Sequence, residues 1–192
     1  MTDVRKPYDI DSLTDVALRV FAERGYDGAS MDDVARAAGI TKASIYHHVA
    51  AKEEFLARGL RRALDALFAI LEEQRASAGE PYARLEYILR RVAETTLELL
   101  PELSVLFRVR GNSPTEREAI ERRRRFDRIV AELISAGQKA GTVRRDVDPA
   151  ITARLLFGLS NSVVEWYRPG GRAQADEIAA AVLRLATGAL RP

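Results

Sequence analysis

Residues 30 to 52 read S-M-D-D-V-A-R-A-A-G-I-T-K-A-S-I-Y-H-H-V-A-A-K, and this run constrains the fold more than any other part of the chain. It specifies two short helices joined by a tight turn. Ser30 stands where an N-cap side chain accepts from the backbone N–H of Asp33, and Asp33 is the acid of a capping box. Asp32 and Asp33 also suit the positive end of the helix dipole. Val34, Ala35 and Ala38 recur at helical spacing. Gly39 stops that helix, because glycine enters the left-handed region without a steric penalty. Thr41 caps the second helix. Ile40 before that cap and Ile45 after it form a hydrophobic staple, which sets the angle of the incoming chain. Ile45 and Val49 point inward; Lys42, Ala43, Ser44, Tyr46, His47 and His48 point outward.

Turn, caps and staple fit an ordinary helical hairpin as well as a helix-turn-helix. The outward face favours the second reading. Small side chains let a helix approach base edges, and Lys, Tyr and His reach phosphate oxygens. Order and spacing carry a further signal. F-A-E-R-G-Y (Phe21 to Tyr26), A-S-M-D-D-V-A-R-A-A-G, I-T-K-A-S-I-Y-H-H-V and K-E-E-F-L (Lys52 to Leu56) together resemble the TetR family of one-component regulators, over residues 10 to 56. Two positions depart from that pattern. Val49 stands where the family usually has an aromatic residue, and Ala51 leaves the fourth helix without a polar cap.

The resemblance implies an all-α fold: a three-helix helix-turn-helix head over residues 1–52, and a helical bundle for ligand binding and dimerisation over residues 53–192. It implies a homodimeric repressor on a palindromic double-stranded DNA operator, released by a small hydrophobic inducer. By position, Lys42, Ala43 and Ser44 would meet base edges, and Ser30, Tyr46, His47 and Lys52 would meet phosphate. In such proteins the last two helices pair with those of a second subunit. Ile151, Leu155, Gly158, Leu159, Ser162 and Trp166 on the first, with Ile178, Val182 and Leu185 on the second, are the candidates here. Gly158 and Ser162 are one turn apart and would let another helix approach closely.

Composition narrows the alternatives. With 192 residues and 47% apolar content the chain can bury a core, and with no cysteine it has no disulfide or thiolate chemistry. Met1 to Tyr8 is polar and charged, so no signal peptide is expected, and no apolar run has the length of a membrane span. A cytoplasmic bacterial protein is the expectation, with no membrane partner. The net charge is only +2. The useful positive charge is local, at Arg36, Lys42 and Lys52, so specificity has to come from docking geometry. The two histidines, His47 and His48, both lie on the second helix of the turn motif. A Ser–His–acid triad would have to be built around that helix. Gly158-Leu159-Ser160-Asn161-Ser162 lacks the closing glycine of a nucleophile elbow and lies within a helix, and no phosphate-binding glycine motif occurs. No enzyme, metal site or cofactor is expected.

Helical periodicity organises the rest. A first helix runs from Ile10 to Arg24 and is ended by Gly25; a fourth runs from Lys52 to Gln74 and a fifth from Tyr82 to Leu100, separated by a loop from Ser77 to Pro81. Gly59, inside the fourth, is either a close packing contact with the first helix or a soft point between head and body. Pro101 breaks or restarts the fifth helix. Ser113 caps a helix that runs from Pro114 to Ala140, with Glu116 completing a capping box and Gly141 as its stop. Asp148-Pro149 opens the next helix, which reaches Tyr167, and a last one covers Ala175 to Leu190.

The body carries more large apolar side chains than a thin bundle needs, which predicts a cavity lined by Leu67, Leu89, Val92, Thr96, Leu103, Phe107, Phe126 and Val130. The segment Gly158 to Gly171 resembles that of TetR members which respond to acyl-coenzyme A thioesters. Such a ligand would put its tail in the cavity and its phosphates near Arg108, Arg110 or Arg122 to Arg125. That arginine run is otherwise a solvated face paired with Glu116, Glu118, Glu121 and Asp127. A tetracycline–magnesium ligand is disfavoured, since the body has no histidine. A lipophilic cation would need carboxylates from Glu94, Glu98 or Glu102. A DNA-binding regulator without a ligand would have a solid body.

Overall fold

The computed structural model describes residues 9–192; the polar opening segment Met1 to Tyr8 lies outside them. Ten helices occur among the described residues: α1 (Ile10–Arg24), α2 (Met31–Ala38), α3 (Lys42–Tyr46), α4 (Lys52–Glu72), α5 (Gln74–Ser77), α6 (Pro81–Glu98), α7 (Leu100–Arg108), α8 (Pro114–Ala140), α9 (Pro149–Trp166) and α10 (Ala175–Gly188). No strand accompanies them, in keeping with the all-α expectation.

Local chemistry sets most of the boundaries. Asp9 caps α1 through Ser12, and Ser30 and Asp33 form a reciprocal capping box on α2. Gly39 is left-handed at φ 66, and the N–H of Ile40 reaches back to the carbonyl of Ala35. Thr41 accepts from the N–H of Ser44 at the start of α3. Ala51 opens α4 without a side-chain cap, as its identity implies.

One boundary and one capping role differ from the sequence expectation. The segment after α4 is a separate turn of helix, α5, and not loop alone. The break falls at Glu73, whose backbone is extended and whose carboxylate is drawn to α6 by the Tyr87 hydroxyl and by Arg91. A tertiary contact causes that break. Glu116 also departs from its expected role. Ser113 accepts from its N–H, but the Glu116 carboxylate does not return to the cap. It accepts from the N–H groups of Arg110, Gly111 and Asn112 at 2.9, 2.8 and 3.0 Å, and so closes the turn between α7 and α8. Burial raises the pKa of this carboxyl, but the three N–H groups prevail and hold it below its ordinary value. With the folded pKa depressed, its contribution is present above the ordinary range of about 4.3 and fades as pH falls through the folded value. Glu116→Gln is expected to cost about 2 kcal/mol at pH 7, a fall in Tm of about 4–8 °C. Thermal unfolding of both proteins should show the gap narrowing as pH falls below the ordinary carboxylate range; a constant gap would assign the loss to shape and not to charge.

One continuous apolar core joins the head to the body, because α1 packs on α4 and α7 as well as on α2. Gly59 lies where α4 crosses α1. A Cβ there would fall 2.2 Å from Cδ2 of Leu18, which is fully buried. The close-packing reading of Gly59 is therefore the observed one. Ion pairs brace the same junction: Arg62 on α4 reaches Asp11 and Asp15 on α1 at 2.8 and 2.6 Å. A smaller cluster of Val163, Tyr167 and Ile178, with Leu97, Leu100 and Val182 against it, seats α10 on α6 and α9.

Candidate nucleic-acid interface, ligand cavity and subunit face

Ile45 and Val49 are buried beneath α3, which turns the other side of that helix outward. Lys42, Ala43, Tyr46, His47 and His48 are all exposed, and Ser44 is half-buried. α3 is short: Tyr46 is its last residue and His47 is its C-cap. Two of the outward groups, Lys42 and Ser44, are tied to the scaffold by side chains. The Ser44 hydroxyl lies 2.8 Å from that of Thr41, and the Lys42 ammonium donates to Asp32 on α2 at 2.8 Å. That hydrogen bond and charge raise the Lys42 pKa above its ordinary value. Ser30 donates to Asp33 at 2.6 Å, and Arg24 and Arg36 pair with the same carboxylate. The Ser30 hydroxyl and backbone N–H, with the two guanidiniums beside them, bring Asp33 down to about 2.

Lys52 departs from the sequence expectation. Its ammonium donates to the carbonyls of Tyr26 and Ala29 at 2.7 and 2.8 Å and sits 4.3 Å from the centre of the Tyr26 ring. Two of its three N–H donors are thereby spent inside the head, pinning the turn between α1 and α2 to the start of α4. It acts as an internal clamp, and one N–H donor remains.

A cavity of about 430 Å³ lies between α4, α6, α7, α8 and α9. Leu67, Val92, Phe107 and Phe126 line it as expected, and Phe126 packs edge-on to Phe68. Leu89, Thr96, Leu103 and Val130 do not line it; they are buried in the surrounding core at 3%, 1%, 0% and 0% exposure. Arg123 and Arg124, which the sequence reading places near the ligand's phosphates, complete the wall with Asp127, Arg154, Phe157 and Asn161, which it does not assign to the ligand. Helical spacing carried the signal, since Arg123 and Asp127 share a face with Phe126 and Val130, and Arg154 shares one with Phe157 and Asn161. Burial pushes the Asp127 carboxyl up, opposed by the charges of Arg123, Arg154 and Arg128.

The arginine run divides by direction. Arg123 and Arg124 are in the cavity wall, although Arg124 is exposed and pairs with Glu121 at 2.7 Å as on a solvated face, whereas Arg122 pairs with Asp65 at 2.7 Å and Arg122 and Arg125 lie over the Phe68 ring. Arg108 and Arg110 face a different cleft, between the end of α1 and the body. Glu94, Glu98 and Glu102 are absent from the cavity wall; Glu94 pairs with Arg91 at 2.6 Å and Glu102 is buried 4.0 Å from Arg62.

The last two helices leave one apolar face uncovered. Ile151, Leu155, Trp166 and Leu185 are 60%, 68%, 54% and 63% exposed, and Gly158 and Ser162 lie among them. Gly158 has no atom within 4 Å of where a Cβ would stand. Three further candidates for that face are less exposed. Ile178 is only 6% exposed and packs inside its own protomer, and Leu159 and Val182 are half-buried against their own core. Both helices are apolar on more than one side, and Ile178 belongs to the inner side.

A helix-turn-helix head fused through a shared core to a hollow helical body is the plan of a one-component DNA-binding regulator. Residues 13–59 match the family described as bacterial regulatory proteins, tetR family, and residues 78–190 match the tetracyclin repressor-like C-terminal domain. The transcriptional repressor KstR2 of Rhodococcus jostii (strain RHA1) is 32% identical over 174 residues, covering 87% of this chain and 83% of that protein. SCO3833 from Streptomyces coelicolor A3, a TetR family member, is 49% identical with a TM-score of 0.86, over 100% of this chain and 96% of that one. The ketosteroid transcriptional regulator KstR2 of Mycobacterium tuberculosis is 26% identical with a TM-score of 0.86, over 100% and 97%. The chain belongs to the TetR family of transcriptional regulators, and it is a regulator rather than an enzyme.

Proposed function

We propose that this protein is a homodimeric repressor that holds an inverted-repeat operator and leaves it when a hydrophobic acyl-coenzyme A thioester enters the body. Residues 1–52 are the reading head and residues 53–192 the sensing and dimerising body. Lys42, Ala43 and Ser44 read base edges, while Tyr46, His47, Ser30 and the remaining donor of Lys52 hold phosphate. With operator DNA as its partner, the protein works in the cytoplasm.

The cavity carries the ligand reading. Its volume is within the range of small-molecule sites, its floor is Leu67, Val92, Phe107, Phe126 and Phe157, and its wall holds Arg123, Arg124 and Arg154. An apolar body with an anionic head satisfies both parts. Kinship with a ketosteroid regulator favours a polycyclic apolar body. A lipophilic cation suits this wall poorly, because Arg123 and Arg154 act on its one carboxylate, Asp127. A regulator without a ligand would have no use for the hollow.

Selection of bound duplexes from a random pool tests the DNA half of the reading. The expected motif is an inverted repeat, since a two-fold dimer presents two heads. Lys42→Ala should relax base preference within each half-site, at about 1–3 kcal/mol for the base concerned. An unchanged motif and affinity for Lys42→Ala would overturn the assignment of α3 as the reading helix.

A further inference from the structure

Arg108 ends α7, and its guanidinium bridges two other helices. Nη1 donates to the backbone carbonyl of Ala22, in the last turn of α1, where carbonyls run short of intrahelical donors. Nη2 lies 3.1 Å and Nε 3.4 Å from carboxylate oxygens of Glu165 on α9. This three-way contact stands at a cleft of about 470 Å³ between the α1–α2 turn and the body.

The same two body helices line the ligand cavity. Phe107 is the neighbour of Arg108, and Asn161 is one turn before Glu165; both are in the cavity wall. α7 also packs on α1 and on α9, and α1 packs on α2. A molecule that spreads α7 from α9 therefore acts on the Arg108–Glu165 contact, one residue and one turn away. Arg108 and Glu165 are 39% and 62% exposed, so their pair adds little to folding, and its role is separable from stability.

We propose that Arg108 and Glu165 are a positioning pair that couples the cavity to the reading head. In the empty protein Glu165 orients the guanidinium onto Ala22 and fixes α1 against α7. Filling the cavity pulls Glu165 from Arg108, the hold on Ala22 is lost, and α1 carries the helix-turn-helix out of register with DNA. The inference rests on the cavity being the inducer site.

The test uses the full chain and two conservative variants, Arg108→Lys and Glu165→Gln, with labelled operator DNA and two probes, palmitoyl-coenzyme A and choloyl-coenzyme A. The coupling is the ratio of probe affinities without and with operator, in the variants and the wild type. Both variants should bind the probe alone as well as the wild type does, but should hold operator about fivefold more weakly, and their coupling should fall by about the same factor. Coupling equal to the wild type would overturn the proposal, as would a loss that tracks a fall in Tm. If neither probe releases the wild type, the acyl thioester reading fails, and amide hydrogen exchange judges the pair alone. Both variants should then exchange faster over residues 22–29 with the body unchanged; equal exchange would overturn the proposal.

Discussion

Leu155→Glu is expected to yield a folded monomer that no longer holds the operator. Ile151 and Leu155 are one turn apart on α9, and with Trp166 and with Leu185 on α10 they leave large apolar side chains more than half exposed. Monomeric proteins seldom leave such a cluster in water, and the gap at Gly158 lets a second helix approach. In a two-fold interface one substitution enters twice, so each carboxylate would be buried near its own copy. A cost of about 4 kcal/mol raises the dimer Kd about a thousandfold. Leu155 makes little intramolecular packing, so helicity and unfolding of the protomer should barely change. Two heads on one inverted repeat act as linked sites, and a lone head loses that advantage. Sedimentation at micromolar concentration should give a dimer for the wild type and a monomer for Leu155→Glu. A monomeric wild type would contradict the subunit face.

The second large effect is expected at Gly59. Its missing side chain leaves room for Leu18, whose Cδ2, Cδ1 and Cγ would lie 2.2, 3.0 and 3.1 Å from an added Cβ. A flexible tip could turn away, but Leu18 is at 0% exposure with core on every side. Any larger residue gains about 1 kcal/mol of helix propensity and loses more to overpacking. For Gly59→Leu the net loss should be about 3 kcal/mol, a fall in Tm of about 6–12 °C. Because the clash lies where α4 crosses α1, the head should also tilt, and operator affinity should fall at temperatures where the protein is fully folded. Leu18→Ala in the same chain should restore part of both losses; additivity of the two changes would refute the contact as the cause.

The caps of the head were legible because they are local. Ser30 with Asp33, Gly39 in the left-handed region, and Thr41 with Ser44 each need only residues within three positions of one another. The start of α8 at Ser113-Pro114 and its end at Gly141 are of the same kind. What periodicity leaves open is which neighbour an apolar stripe meets. Ile178 and Leu185 both recur at helical spacing on α10, yet one is buried in its own protomer and the other faces out. Leu103 and Phe107 likewise share a stripe on α7, one in the core and one in the cavity wall. Charge misleads in a different way. Lys52 has the chemistry of a phosphate contact, but the carbonyls of Tyr26 and Ala29, more than twenty residues away in the chain, take two of its three donors. Arg123, Asp127 and Arg154 look like solvated helix faces until the packing of α8 and α9 turns them into a wall. Glu73 ends α4 through Tyr87 and Arg91, partners that no local pattern reveals.

Operator release is the measurement that bears most directly on the whole scheme. Fluorescence anisotropy of the selected operator, bound to the wild-type protein, is followed during titration with acyl-coenzyme A esters of several chain lengths and a polycyclic one. The free acids and lipophilic cations serve as comparators. To leave DNA the protein must bind the ligand more tightly in its DNA-free state, by about 1–3 kcal/mol. The expected result is release by one or more thioesters at concentrations where the matching free acid and the cations leave the complex intact. Release by cations alone, or by nothing in the series, would contradict it.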